Sequence, residues 1–141
     1  GCPHDCEGCH NPATHDCKGG REVEAADLIA EIETAKLIRG ITLSGGEPFL
    51  QAAALLEVAK AAKAKALSVV AYSGYLFEEL ETRSDARALL EYVDILIDGP
   101  FVLAKRDLKL AFRGSANQRV LDVPLSLRSG EAVLWQEQNE F

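Results

Sequence analysis

Along the chain, segments whose apolar residues recur with helical spacing alternate with short apolar runs that are typical of strands. Leu28, Ile29 and Ile32 lie on one helical face, which predicts an amphipathic helix over 23–39 that ends at Gly40. Short apolar runs stopped by glycine, serine or proline predict strands between the helices. The other predicted helices are 51–66, 77–82 and 85–92, and the predicted strands are 41–44, 67–72, 93–97, 119–123 and 132–135.

This alternation of helices and strands predicts an α/β fold. Strands that are joined through helices form right-handed crossovers, so we expect a mostly parallel sheet. A chain of 141 residues suits one domain with one core. We therefore assign residues 1–141 to a single domain, in which the polar residues 1–20 form a loop rich in glycine and cysteine.

Three of the predicted strand ends carry glycine and polar side chains, at 44–48, 72–75 and 98–101. In sheets of this kind, ligands bind at the carboxyl ends of the strands. Because these three ends share one edge of the sheet, we expect the unusual chemistry of the chain at that edge.

Charge and hydropathy narrow the classes of function. The formal net charge is −7, which disfavours nucleic acids and anionic membranes as partners bound through bulk charge. The longest uncharged run, 66–77, has 12 residues and is too short to span a bilayer. Three of the four cysteines lie within eight residues, which is more typical of metal ligation in a reducing cytoplasm than of a secreted disulfide framework.

The three cysteines in the first nine residues carry the strongest chemical signal. Cys2, Cys6 and Cys9 have the spacing C-x3-C-x2-C, and thiolate is the ligand of iron–sulfur clusters. Three thiolates could hold three corners of a [4Fe–4S] cube and leave the fourth iron without a protein ligand. Two alternatives stay open on this loop alone: a zinc site completed by His4, His10 or Cys17, and a closed cluster with Cys17 as fourth ligand.

A second motif, Ser44-Gly45-Gly46-Glu47-Pro48, follows the first predicted strand. Its two glycines let a ligand approach the bare backbone, and Pro48 biases Glu47 towards an extended conformation. The carboxylate of Glu47 beside exposed carbonyl groups suits a ligand ammonium group. The alternative is an ordinary turn between a strand and a helix.

The two motifs in this order resemble the radical S-adenosylmethionine superfamily. The resemblance implies a partial (β/α) barrel and a [4Fe–4S] cluster on Cys2, Cys6 and Cys9, with S-adenosylmethionine chelating the fourth iron. It further implies an amino-group site at Gly45, Gly46, Glu47 and Pro48, and an adenosine site flanked by Gly8, Cys9 and His10.

A narrower resemblance concerns the branch of the superfamily. Residues 9–16, Cys-His-Asn-Pro-Ala-Thr-His-Asp, resemble the segment after the cluster in activators of glycyl radical enzymes. Asp-Gly-Pro-Phe at 98–101 and Arg-Gly-Ser-Ala-Asn-Gln-Arg at 113–119 are similar to signatures of anaerobic ribonucleoside-triphosphate reductase activating proteins. This implies reductive cleavage of S-adenosylmethionine to a 5′-deoxyadenosyl radical, which takes hydrogen from a glycine of the reductase, with flavodoxin or ferredoxin as electron donor.

Other functions stay open beside this one. Within the superfamily, the alternative is a pyruvate formate-lyase activating enzyme or another radical enzyme. Outside it, the alternative is a non-catalytic iron–sulfur electron-transfer module or a zinc-binding module. The metal content of a Cys17 variant separates the last class from the first, because only a closed site needs a fourth thiolate.

Four further polar residues near the strand ends are candidates for the cofactor site: Ser73, Asp98, Asn117 and Arg119. Asp98 would meet a ribose hydroxyl, or else cap a turn. Asn117 and Arg119, with Gln118 between them, would bind the carboxylate of S-adenosylmethionine or face the partner, or else form surface hydrogen bonds.

The sequence departs from the family pattern in two respects. The family has a strand directly before the cysteines, whereas this chain contains no Met and starts at Gly1. We therefore expect an N-terminal segment with the first strand to be missing, which would leave a sheet edge unpaired beside the cysteine loop. Cys17 is not part of the family motif.

Overall fold

Four strands form one sheet in the computed structural model, which describes residues 1–9 and 12–136. They are β1 (Gly40–Leu43), β2 (Ser68–Tyr72), β3 (Ile95–Asp98) and β4 (Arg119–Asp122), and they lie in the sheet in that order. The first three strands are parallel, and β4 pairs with β3 in the antiparallel sense. The predicted α/β fold with a mostly parallel sheet is confirmed.

Helices connect the parallel strands. The central helix, α2, packs against α1, α4 and β2, and three of its four buried residues are alanines, which allow a close approach. None of the helices in the described part of the chain has the length and apolar character of a membrane span. The helices are α1 (Ala25–Thr34), α2 (Ala52–Ala64), α3 (Phe77–Leu80), α4 (Ser84–Leu90) and α5 (Val123–Ser129), and short 3₁₀ turns lie at Pro12–Thr14, Pro48–Gln51 and Leu103–Lys105.

The middle of the sheet is the most buried part of the molecule. Along β2, the fully buried Val69 and Ala71 alternate with partly exposed neighbours, as the two faces of a strand require. All four residues of β3 are buried, which is typical of a strand covered on both faces. The ends of β2 and β3, where two of the predicted site segments begin, are therefore held by the core.

The first helix is shorter than its pattern predicts. It ends at Thr34 rather than at Arg39, because Ala35 is extended and Leu37 has a positive φ of 63°. Leu37 is fully exposed, so its side chain contributes no apolar burial beyond the end of the helix. Most of the stability of a short helix comes from such burial.

The chain after β4 also differs from the prediction. The residues 123–129 form α5, which the sequence pattern did not predict, and within the predicted strand 132–135 only Leu134 forms a β-bridge, with Leu121. The helix begins because the Asp122 side chain accepts a hydrogen bond from the Leu125 N–H, and it ends at Gly130 with a φ of 78°. These are ordinary capping signals, and they favour a helix over 123–129.

Candidate active site

A cavity of about 490 Å³ lies between the cysteine loop and the carboxyl ends of the strands. Ser44, Gly45 and Gly46 line it after β1, Ser73 and Gly74 after β2, and Gly99 after β3. The predicted grouping of the three strand ends is thus found in one cavity. Its volume lies within the range of roughly 300–1,000 Å³ that is typical of small-molecule sites.

Cys2, Cys6 and Cys9 all line this cavity, whereas Cys17 is exposed and does not. Burial raises the pKa of the Cys2 thiol, and the nearby carboxylate of Glu47 and the other two thiols raise it further, while a backbone hydrogen bond from His4 lowers it. Such crowding of acidic groups favours a bound cation. No group of three His, Cys, Asp or Glu side chains within 1–9 and 12–136 is placed to hold a single metal ion. A cube spreads its thiolates over separate irons and does not need such a group.

Glu47 is the most highly connected carboxylate beside the cavity. Its Oε1 lies 2.6 Å from Nε2 of His4 and 2.7 Å from the Gly74 nitrogen. Its Oε2 accepts hydrogen bonds from the Phe49 N–H at 3.1 Å and from the Ser73 hydroxyl at 2.9 Å. The four donors match the four lone-pair positions of a carboxylate. The side chain is fully buried and is not among the groups that line the cavity.

The other residues of the Ser-Gly-Gly-Glu-Pro motif also differ in whether they reach the cavity. Gly45 and Gly46 present backbone to the cavity, whereas Pro48 is buried and begins a 3₁₀ turn. Gly45 needs to be glycine because its φ is 101°, a region that other residues rarely adopt. The sequence prediction that Glu47 and Pro48 bind the ligand's amino group stays a prediction, and the backbone before them is the part of the motif that the cavity reaches.

Asp98 and Arg119 lie outside the cavity lining and bind each other. The buried carboxylate of Asp98 accepts hydrogen bonds from the Phe77 N–H and from the Arg119 guanidinium. Arg119 also donates to both carboxylate oxygens of Glu78, at 3.1 and 2.8 Å. These hydrogen bonds lower the pKa of Glu78 and raise that of Arg119. The ion pairs join the start of α3 to β3 and β4.

The segment 113–118 borders the cavity through Gln118, which the sequence analysis named as a candidate, and through Arg113, which it did not. Asn117 donates to the Pro100 carbonyl and does not line the cavity. Arg113 and Gln118 do line it. Gln118 donates to the Gly99 carbonyl and accepts from the N–H groups of Gly114 and Ser115, so it fixes this turn against the end of β3. The signal for both residues was their place in the stretch 113–119, whose side-chain directions the sequence does not show.

Two further sequence predictions concern the cysteine loop itself. Gly8 has a φ of 74° and lies against the side chain of Leu103, away from the cavity lining. His10 lies outside the described residues. His15, which the prediction did not include, lines the cavity and its Nδ1 lies 3.1 Å from a carboxylate oxygen of Asp5.

The residues of the cavity fit a cluster with a polar organic ligand. Three thiols provide the soft donors that iron requires, and the glycine backbone at the strand ends leaves space for close approach. Nε of Arg113 is a buried polar atom without a hydrogen-bond partner in the described part of the chain. Such an atom is unfavourable unless a ligand or water satisfies it.

A mostly parallel α/β sheet whose strand ends face three clustered thiols fits an iron–sulfur protein. In agreement, residues 1–121 match the family model of the 4Fe-4S single cluster domain.

Curated relatives narrow the class further. The chain is 36% identical to a protein of Vibrio cholerae and 35% identical to one of Haemophilus influenzae, in each case over 126 residues that cover 84% of this chain and 80% of the relative. It is 32% identical to a protein of Enterobacteria phage T4 over 127 residues, 85% of this chain and 78% of the relative. All three carry the name anaerobic ribonucleoside-triphosphate reductase-activating protein. At this identity and coverage, the chain belongs to that family.

Proposed function

We propose that this chain is a glycyl radical enzyme activase, a radical S-adenosylmethionine oxidoreductase whose partner is an anaerobic ribonucleoside-triphosphate reductase. The observation that carries the proposal is the single cavity that joins Cys2, Cys6 and Cys9 to the glycine backbone at the strand ends. The names of the relatives support the partner.

The cysteines would hold a [4Fe–4S] cluster, and the cavity beside them would hold S-adenosylmethionine. When both are bound, the cluster, reduced by an external donor, would supply one electron to the sulfonium, whose C5′–S bond would break to give methionine and a 5′-deoxyadenosyl radical that would take a hydrogen atom from a glycine of the reductase. All the protein's own groups act by binding, orienting and excluding water, because the cofactor carries the difficult chemistry.

The lining residues divide these tasks by their chemistry. The backbone carbonyls of 44–46 suit the ammonium group of the ligand, and Arg113, whose Nε has no hydrogen-bond partner among the described residues, suits the carboxylate. Tyr72, Phe101 and Phe112 provide apolar surface around the same cavity and limit the access of water. Gly8 and His10 keep the adenosine role that the family resemblance gives them.

Asp98, Asn117 and Arg119 support the site from behind. Their hydrogen bonds join β3, β4 and α3 and hold the turn at 99–101 against the segment 113–118. We assign them to the placement of the cavity wall rather than to direct contact with the cofactor. Ser73 lines the cavity and also binds Glu47, so it is both a lining residue and a residue that supports the cavity wall.

The proposal also concerns the fold, the electron donor and the compartment. The strands β1, β2 and β3 lie side by side in chain order and are parallel, as in a singly wound (β/α) barrel, and we propose that the sheet is part of a partial barrel of the superfamily type. Flavodoxin or ferredoxin would reduce the cluster, in the cytoplasm of an anaerobically growing cell.

Anaerobic reconstitution with iron and sulfide tests the chemistry. We expect protein-bound iron and sulfide near four of each, a visible absorbance band that dithionite bleaches, and formation of methionine and 5′-deoxyadenosine from S-adenosylmethionine only when both cluster and dithionite are present. Protein that binds zinc alone, or a reducible cluster that leaves S-adenosylmethionine intact, would contradict the proposal.

A further inference from the structure

His4 lies between the first two cysteines and is the side chain that connects the cysteine loop to the sheet. Two described hydrogen bonds lead from residues 1–9 to residues beyond position 20, and both end on Glu47. One joins the Gly1 carbonyl to the Glu47 N–H at 2.7 Å. The other joins Nε2 of His4 to the Glu47 carboxylate at 2.6 Å.

The imidazole of His4 is held in place on its other sides as well. Its ring packs edge-on against Tyr75, with 4.5 Å between the ring centroids and 75° between the planes. The guanidinium of Arg83 lies 5.6 Å from the centroid of the same Tyr75 ring and donates to the Phe49 carbonyl. A ring fixed in this way loses little further freedom when it binds Glu47.

The absence of a side chain at Gly74 leaves room for the ring of His4. A Cβ atom at position 74 would overlap the imidazole carbons and Nε2 of His4. Gly74 has no positive φ, so its backbone conformation does not require glycine. The close approach of the histidine ring to bare backbone is the physical reason for glycine here.

Glu47, in turn, is bound from both neighbouring strand ends. The segment after β1 supplies the Phe49 N–H, and the segment after β2 supplies the Ser73 hydroxyl and the Gly74 N–H. One buried carboxylate therefore joins the ends of β1 and β2 to the loop that bears the cysteines. Removing one donor from a buried carboxylate is destabilising, because it leaves part of a buried charge without a hydrogen bond.

We propose that His4 is a positioning residue: through Glu47 it sets the orientation of the cysteine loop relative to the strand ends, so that the three thiols face the cofactor cavity. This inference rests on the proposed function and adds to it a residue that is neither one of the three cysteines nor part of the Gly-Gly-Glu-Pro motif. Groups that orient metal ligands typically change metal affinity by about 10–100-fold when they are removed.

The variants His4→Gln and His4→Asn form a matched pair. Both are neutral amides, but only the longer Gln side chain places its NH₂ group where Nε2 of histidine lies, within reach of Glu47. Gly74→Ala displaces the ring while leaving both partners unchanged. Asp5→Asn, in the same loop but with an exposed side chain, is the control, since asparagine also tolerates its positive φ of 45°.

Three measurements are compared: the rate of iron loss to a chelator from reconstituted protein, the Kd for S-adenosylmethionine, and hydrogen–deuterium exchange of the Glu47 amide in cluster-free protein. We expect His4→Asn and Gly74→Ala to lose iron about tenfold faster and to bind S-adenosylmethionine about tenfold more weakly, with faster exchange at Glu47. His4→Gln and Asp5→Asn should stay within about threefold of the unaltered chain. Circular dichroism establishes that each variant is folded, and if Gly74→Ala does not fold, the Gln and Asn pair decides.

Equal behaviour of His4→Gln and His4→Asn would overturn the inference. Tighter binding of S-adenosylmethionine by His4→Asn would also overturn it, because His4 would then occupy the ligand's own place on Glu47. These results differ from a failure of the proposed function, in which the unaltered chain would not cleave S-adenosylmethionine at all.

Discussion

Among single residues, the cysteines carry the chemistry, and Cys17 differs from the other three. Cys2, Cys6 and Cys9 line the cavity, whereas the exposed Cys17 does not, and its Sγ lies 4.0 Å from the His15 carbonyl. Its position supports a three-thiolate site with an open iron.

A cysteine series tests this reading. Cys2→Ala, Cys6→Ala and Cys9→Ala should each abolish cluster assembly, because each removes one of three ligands. Cys17→Ala should retain the iron and sulfide content and the visible spectrum of the unaltered protein. The measurement is metal and sulfide analysis after anaerobic reconstitution.

Loss of the cluster in Cys17→Ala would show a closed, four-cysteine site, and the open-iron account would be wrong. Circular dichroism of the cluster-free variants provides the control, since a ligand substitution in an irregular loop should leave the helices and strands unchanged.

At the scale of elements, the ion pairs of Arg119 connect three pieces of secondary structure. Asp98 at the end of β3, Glu78 in α3 and Arg119 at the start of β4 meet at one point. The hydrogen bond from Arg119 holds the pKa of Glu78 below its ordinary value of 4.5. A carboxylate whose pKa is lowered in the folded state stabilises that state above its unfolded pKa and loses this contribution as the pH falls through the folded value.

The variant Glu78→Gln should therefore reduce stability at pH 7 and have progressively less effect below about pH 4.5. The expected difference in the free energy of unfolding at neutral pH is at most about 1 kcal/mol, because half of the Glu78 side chain is exposed. Urea unfolding of cluster-free protein between pH 7 and pH 3 measures it.

Glu91→Gln is the matched control, since Glu91 is an exposed helix-end glutamate for which the structure describes no side-chain hydrogen bond. Its profile should follow that of the unaltered chain. If both variants show the same dependence on pH, the Glu78–Arg119 pair does not contribute.

The sequence predicted elements better than it predicted contacts between them. The helix and strand order as far as β4, the parallel sheet and the grouping of strand ends follow from local apolar spacing and from general rules of α/β folds. The partnership of Asp98 with Arg119 depends on β4 lying antiparallel to β3, in a register that sets these two residues opposite each other. Nothing in the local pattern specifies that register.

Glu47 shows the same limit at the candidate site. The sequence identified it as an important carboxylate in an extended turn, and the structure agrees on its position. Its donors come from His4, Phe49, Ser73 and Gly74. Because three of these four are brought to it only by the folding of the sheet and the cysteine loop, the inward orientation of its side chain could not be predicted.

At the scale of the whole molecule, the cavity lies at the strand-end edge of the sheet. Phe112 is exposed at this edge and lines the cavity. Lys105, Arg106 and Lys109 form a local basic patch in the neighbouring loop of a chain with net charge −7. We propose that this edge receives the glycine-bearing segment of the reductase, since a radical formed in the cavity must reach a backbone atom of another chain.

The most direct test of the account is electron paramagnetic resonance of the partner. Reconstituted protein, S-adenosylmethionine, a low-potential reductant and an anaerobic ribonucleoside-triphosphate reductase are combined without oxygen, beside a reaction with the Cys6→Ala variant. The account predicts a doublet from a glycyl radical on the reductase, present with the unaltered chain and absent with the variant. Formation of 5′-deoxyadenosine without any radical on the reductase would contradict it.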